Sequence, residues 1–265
     1  MAISDAHRHL KGIFLGKKQI SLTHSKRLSL MHSKTDPFAT RKLFGRKIGR
    51  RLGVKRQELF DTLFPRIDIK EILKTKEAPV HPNDLFEKPH KEIHIEIGFG
   101  DGDMLRQAHV QNRDIGYIGC EPFMNGVCNL LTAIKENDLS NIRLWQDDAL
   151  VLLTQLEENS VDRLYIMNPD PWPKKRHYKR RVVRPETLDL FAKILKKDAL
   201  LIMTTDVDDL AEWMVTQASN HPNFDWQANC QADWQTPPKG WTQTKYEKKG
   251  IAAGRVQTYL IFKRQ

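Results

Sequence analysis

From Glu92 onward, short apolar runs alternate with stretches of helical period. The runs at 93–97, 117–120, 142–145, 164–167 and 200–204 have the length of strands, and the segments 103–109, 124–137, 149–157, 185–196 and 208–219 read as helices. Pro185 suits the first turn of its helix. This alternation predicts βαβ units and a mostly parallel sheet, an α/β fold. Two further strand-like runs, 224–231 and 256–262, close the chain. Ahead of Glu92 the pattern fades. Residues 1–35 lack long apolar periodicity and read as a basic, flexible tail. Residues 36–91 read as a basic N-terminal segment and linker, punctuated by Pro79, Pro82 and Pro89, and residues 92–265 as the main domain.

Composition narrows the class. Of 265 residues, 40% are hydrophobic and 29% charged, which fits a soluble globular protein and excludes a disordered chain or a disulfide scaffold. No apolar run approaches the roughly 18 residues of a membrane span. The basic N-terminus lacks the apolar core of a secretory signal. Cys120, Cys128 and Cys230 form no C-x-x-C pair and suit reduced thiols in the cytoplasm. The net charge of +10 is uneven: residues 1–56 hold 15 Lys and Arg against Asp5 and Asp36, and the remainder is slightly acidic. A basic arm of this kind is either solvated or touches a polyanion. Between 43 and 52 the cations interleave with apolar residues, but Gly45 and Gly49 weaken a membrane-surface helix there.

The candidate chemistry begins where the first strand runs into Glu96-Ile-Gly98-Phe-Gly100-Asp-Gly102 and a helix follows. Ligands of open α/β sheets bind at the carboxyl ends of strands, where glycines admit close backbone approach. Glu121 ends the second strand, placed to take the hydroxyls of a ribose. Asp148 follows the third, placed to accept the amine of an adenine. A dinucleotide and S-adenosylmethionine are the two ligands to weigh. An acid at Glu96 opposes a pyrophosphate and suits the ammonium and sulfonium of S-adenosylmethionine, and the spacing is G-x-G-x-G rather than G-x-G-x-x-G.

The fourth strand leads into Asn168-Pro-Asp170-Pro-Trp172-Pro-Lys174-Lys-Arg176-His-Tyr-Lys-Arg-Arg181, in which six of the last eight residues are Lys or Arg. Prolines stiffen the loop around Asp170 and Trp172, and the cations around Tyr178 suit phosphates and a stacked base. This segment closely resembles the signature of the tRNA (guanine-N7-)-methyltransferases. So, in the same order, do Glu96-Ile-Gly-Phe-Gly, Gly119-Cys-Glu121-Pro-Phe, Asp148-Ala149, Thr205-Asp206 and Thr244-Lys-Tyr-Glu247-Lys-Lys-Gly250. The resemblance covers about residues 40–265. It implies a Rossmann-like, seven-stranded S-adenosylmethionine-dependent methyltransferase fold and, as target, the variable-loop guanosine of tRNA, giving 7-methylguanosine. By resemblance, Glu96, Gly98, Gly100, Glu121, Asp148 and Asp170 serve the cofactor; Lys174, Asp206, Thr244, Lys245, Tyr246 and Glu247 serve the guanosine; and Arg176, His177, Tyr178, Lys179, Arg180 and Arg181 touch tRNA. Asn168 departs from the aromatic or apolar residue expected in relatives.

Guanine N7 carries a lone pair and no proton, so its methylation needs no general base. It needs alignment, exclusion of water and a carboxylate where positive charge arrives, for which Asp170 is the best placed. No metal is called for. His90 and His94 flank Glu92 but straddle a strand start, where four residues span about 13 Å; they read as surface or edge histidines. No membrane and no obligate protein partner is inferred. Two other readings remain open on the residues alone. One is an exocyclic-amine methyltransferase, which Asn168-Pro-Asp-Pro-Trp loosely echoes; the other is a non-catalytic RNA-binding protein on a decayed methyltransferase fold.

Overall fold

The computed structural model describes residues 43–45 and 47–265; the basic tail expected over 1–35 lies outside them. Seven strands form one sheet in the order β3-β2-β1-β4-β5-β7-β6. They are β1 (Glu92–Ile97), β2 (Ile115–Cys120), β3 (Ile142–Trp145), β4 (Val161–Met167), β5 (Leu195–Thr205), β6 (Phe224–Trp226) and β7 (Thr258–Arg264). Strands β1 to β5 are mutually parallel, while β7 runs antiparallel between β5 and β6. Strands β2 and β3 are buried along their whole length, because crossover helices cover both faces. One apolar cluster, with Ile95, Leu164, Leu201 and Phe191, fills one face, and a second, with Leu105, Leu130, Leu144 and Tyr165, fills the other.

The crossover helices Asp103–Gln111, Met124–Asn137, Pro185–Ile194 and Asp208–Ser219 follow the predicted pattern closely. The remaining differences have local causes. The helix expected over 149–157 stops at Leu153. Strand β5 starts at Leu195, inside the expected helix 185–196. Strand β6 ends at Trp226 because the chain turns: Asn229 N and Cys230 N both donate to Asp233 Oδ2, at 2.6 and 2.9 Å, ahead of the short helix Ala232–Gln235.

The larger difference lies before β1. The stretch expected as a basic segment and linker contains α1 (Val54–Thr62), α2 (Phe64–Ile67), α3 (Ile69–Leu73) and a 3₁₀ turn, Pro82–Leu85. Leu59, Phe64 and Ile67 enter one apolar cluster, and Ile69, Val80 and Leu85 enter the other. Asp68 caps α3 by accepting from Lys70 N at 3.0 Å, and it also forms a bridge to Leu144 of β3. These helices are too short for periodicity to reveal them.

Candidate active site

The sheet order reverses between β1 and β4, so the loops leaving their carboxyl ends enclose a crevice. On the β1 side the chain turns sharply at Gly98, Gly100 and Gly102, with φ of 76°, 55° and 74°. A side chain at Gly98 or Gly100 would meet no atom within 4 Å, so left-handed backbone rather than crowding requires glycine there, and the backbone lies open to a ligand. Glu121, at the end of β2, holds this loop: its Oε2 accepts from Gly100 N at 2.8 Å and its Oε1 from Phe123 N at 2.9 Å. Burial pushes the Glu121 carboxyl up, and the two backbone hydrogen bonds pull against that; Asp170 and Asp101 add to the rise. Each carboxylate oxygen keeps a second lone pair for another donor.

Glu96 sits beneath this loop, only 2% exposed, and its Oε2 has no hydrogen-bond partner. Burial first, and then the charges of Glu121 and Asp103, push it up to about 8. A buried oxygen without a donor is costly unless something else supplies one. Asp148, after β3, caps the helix Ala149–Leu153 through Leu150 N at 3.1 Å and is buried. Gly98, Glu121, Asp148, Asp170, Trp172 and Arg180 are among the residues lining a cavity of about 260 Å³. Glu96 and Gly100 adjoin it in sequence without lining it. Leu43 and Phe44 line the same cavity. Sequence reasoning missed this contribution, since nothing local marks it. A larger cavity, about 800 Å³, opens at the opposite, amino end of the strands beside His90, Arg113 and Asn141, and holds none of the expected site residues.

After β4 the backbone turns through left-handed Asn168 (φ 46°) and Trp172 (φ 43°). Asparagine tolerates that conformation well, and Asn168 Oδ1 accepts from Gln257 Nε2 at 2.9 Å, which accounts for an amide where an apolar residue was expected. Asp170 is exposed on the cavity wall. The basic segment divides in two. Lys174, Lys175, Arg176 and Lys179 are exposed, around the 3₁₀ turn Lys175–Arg180. Arg180 instead lies over the rings of Phe44 and Trp172, 4.1 and 4.8 Å from their centroids, and lines the cavity. The expectation that Arg181 touches tRNA is corrected. It is 1% exposed, donates from Nε to Pro171 O at 2.9 Å, pairs with Asp209, and lies against the rings of Tyr178 and Trp213. Tyr178 is half-buried in the same stack. His177 is half-buried edge-on to Trp172; partial desolvation, then Arg180, Arg176 and the neighbouring lysines, hold it below its usual range.

A second group lies beyond β5. Asp206 follows the strand and accepts from Arg255 Nε at 2.7 Å. Thr244 caps the helix Lys245–Ala252 through Glu247 N, and Lys245 N donates to Asp103 Oδ2 at 2.8 Å. Tyr246 is 52% exposed. The reading of Glu247 as a guanosine contact is also corrected. It is buried, accepts from Trp241 Nε1 at 3.1 Å and from the Tyr259 hydroxyl, and so braces the sheet. Arg255 was not singled out in the sequence; its partner Asp206 is the only signal that marks it.

His94 is buried on the central strand β1, neither the surface nor the edge histidine expected. Its Nε2 lies 3.0 Å from Glu92, its ring packs edge-on to Tyr117, and burial is the main cause of its fall to about 4. Among the described residues no three His, Cys, Asp or Glu side chains group as a metal site. No described helix is long and apolar enough to cross a membrane.

A family model described as "Putative methyltransferase" matches residues 90–260. The tRNA (guanine-N(7)-)-methyltransferase of Azorhizobium caulinodans is 41% identical over 83% of this chain and 94% of its own length. Those of Chelativorans sp. and Zymomonas mobilis are 38% and 39% identical, each over 96% of their own length. Among solved structures, the 16S rRNA methyltransferase KamB superposes with a TM-score of 0.50 at 13% identity, covering 66% of this chain and 89% of that one, a likeness of fold alone.

Proposed function

The chain belongs to the tRNA (guanine-N(7)-)-methyltransferase family, and from that premise we propose how its own residues serve the transfer of a methyl group from S-adenosylmethionine to guanine N7 of tRNA. The observation that carries the assignment is the unpartnered, buried Oε2 of Glu96 beneath an open glycine turn. An ammonium is the donor that this oxygen lacks. Glu121 and Asp148 stand at neighbouring strand ends, where a ribose and an adenine would present hydroxyls and an amine. The residues therefore fit the cofactor. When bound, S-adenosylmethionine supplies a methyl group on a positively charged sulfur.

The chain's part is orientation and electrostatics. Glu96 holds the amino-acid end of the cofactor, Glu121 the ribose and Asp148 the adenine. Asp170 lies on the wall between the cofactor cavity and solvent, where the target base must enter. Its carboxylate favours the charge that passes to the purine. Trp172, capped by Arg180, closes that side against water. Lys174, Arg176 and Lys179 offer an exposed cationic face to the tRNA backbone next to the variable-loop guanosine. Buried, unpaired Cys120 and Cys128 suit the reducing cytoplasm. The amine-methylating alternative loses its support here, because Asn168 Oδ1 is engaged by Gln257.

The test is direct. Purified protein, methyl-labelled S-adenosylmethionine and unmodified tRNA are incubated, and the tRNA is digested to nucleosides. Label is expected in 7-methylguanosine from the variable loop. Label in an N6- or N2-methylated nucleoside, or none at all, overturns the assignment.

A further inference from the structure

On the β5–β7 side of the crevice, the turn after the helix Lys245–Ala252 carries Arg255 back to Asp206. Ala253 N and Arg255 N both donate to Gly250 O at 3.0 Å, and Gly254 takes a left-handed φ of 78°, so the helix end sets where Arg255 begins. Thr205 of β5 pairs with Thr258 of β7, which brings the residues flanking those strand ends together. Arg255 Nε then donates to Asp206 Oδ2 at 2.7 Å. The packing is close: a Cβ on Gly250 would lie 2.9 Å from Asp206 Oδ2 and 3.3 Å from Arg255 Nη2.

What the surface presents here is not the carboxylate. The Asp206 side chain is 3% exposed, whereas that of Arg255 is 44% exposed. Tyr246, also exposed, lies beside Asp206, whose charge adds to burial in raising its hydroxyl above the usual range, and the Arg255 guanidinium carbon lies 6.0 Å from its ring centroid. Tyr246 also feels the charge of Asp170. An incoming nucleotide thus meets an aromatic face and a guanidinium, with Asp206 behind both. The Nε bond leaves the two Nη groups, with four N–H donors, for another acceptor. A phosphate nearing Asp170 and Asp206 alone would be repelled; a guanidinium offsets that and matches phosphate geometry in a bidentate way.

We infer that Arg255, braced by Asp206, takes a backbone phosphate of the target nucleotide whose base packs against Tyr246. This rests on tRNA being the substrate, as set out above. Arg255 is then a binding residue and Asp206 a positioning residue that acts through it.

The test measures binding rather than turnover. Dissociation constants for unmodified tRNA are taken from about 50 to 300 mM salt. One lost phosphate contact lowers the log–log slope by about 0.7–0.9, and Arg255→Ala is expected to do so while weakening binding about tenfold or more at low salt. Arg255→Lys keeps the slope but binds more weakly, since an ammonium cannot pair in a bidentate way. Asp206→Asn weakens binding in the same direction, and its effect largely disappears in the Arg255→Ala background. S-adenosylmethionine affinity stays at the wild-type value throughout. Should Arg255→Ala disturb the turn, Arg255→Gln, which keeps a donor for Asp206, carries the measurement. Wild-type slope and affinity in both variants overturn the inference, as does a joint loss of tRNA and cofactor binding in both, which would make Arg255 structural. A wild-type protein that binds tRNA but forms no 7-methylguanosine overturns the proposed function instead, and leaves the Arg255 measurement readable.

Discussion

With one oxygen unpartnered and its pKa near 8, Glu96 remains protonated at neutral pH until a cation reaches it. Binding an ammonium there favours the carboxylate, so cofactor binding at pH 7 should release about one proton. Calorimetry in buffers of different ionisation enthalpy reads that number. Glu96→Gln should abolish the release and weaken affinity; unchanged proton release in the variant removes Glu96 from the cofactor site. The same shift fixes a stability trend. A carboxyl whose pKa is raised in the folded state contributes stability that is fully present below its unfolded value, near 4.3, and is lost as pH rises through about 8. Glu96→Gln lacks this loss, so denaturant melts should show the variant gaining on wild type from pH 5 to pH 8. In the proposed function Asp170 acts at a different step. Removing one pre-organised electrostatic group costs on the order of 10²-fold in turnover, and Asp170→Asn should do so in single turnovers at saturating cofactor and tRNA. With no proton leaving N7, the wild-type rate under those conditions should show no base-type rise across neutral pH. Near-wild-type chemistry in Asp170→Asn would end its electrostatic role.

The basic turn after β4 shows how one element can hold two kinds of cation. Lys174, Arg176 and Lys179 face solvent, while Arg181 is enclosed by Tyr178, Trp213, Pro171 and Asp209. Replacing Lys174, Lys175, Arg176 and Lys179, the four exposed cations, by Ala should flatten the salt dependence of tRNA binding and leave stability alone. Arg181→Ala should do the reverse: removing a buried, charge-assisted hydrogen bond costs on the order of 2 kcal/mol, visible as a lower denaturation midpoint with little change in salt slope. A flattened slope in Arg181→Ala with unchanged stability would restore it as a tRNA contact. Sequence order alone could not separate these residues, since all six cations fall within residues 174–181 and only the path of the chain decides which way each points. The same limit explains Glu247, whose partners Trp241 and Tyr259 are brought to it by the fold. In contrast, the placement of Gly98, Glu121 and Asp148 on the cavity wall could be read ahead, because each stands at a strand end, and strand ends follow from the apolar periodicity of β1, β2 and β3.

At the scale of the whole molecule, the sheet and its crossover helices could be read from Glu92 onward, but the extent of the cooperative unit could not. The segment 54–91 is polar on average and broken by turns, yet it supplies Ile69, Val80 and Leu85 to one face of the sheet and Phe64 and Ile67 to the other. Ahead of it, Lys47 O accepts from Met124 N, and Asn125 bonds Gly49 N and Arg50 O, which fastens the chain beside the cofactor crevice. Fully burying one such apolar side chain is worth about 1.5–3 kcal/mol. Five of them together are comparable with the roughly 5–15 kcal/mol that holds a domain folded. A fragment beginning at Glu92 should therefore lack a cooperative thermal transition, although it contains every strand. A fragment beginning at Leu43 should keep both the transition and cofactor affinity, because it retains the buried helices and the Leu43–Phe44 wall. Cofactor binding separates packing from site: a chain starting at Val54 keeps the helices but loses Phe44 from over Arg180 and Trp172. It should melt cooperatively yet bind S-adenosylmethionine more weakly than the chain starting at Leu43. Cooperative melting of the Glu92 fragment near the full-length midpoint would show that the sheet is self-sufficient and that 54–91 is an appendage after all.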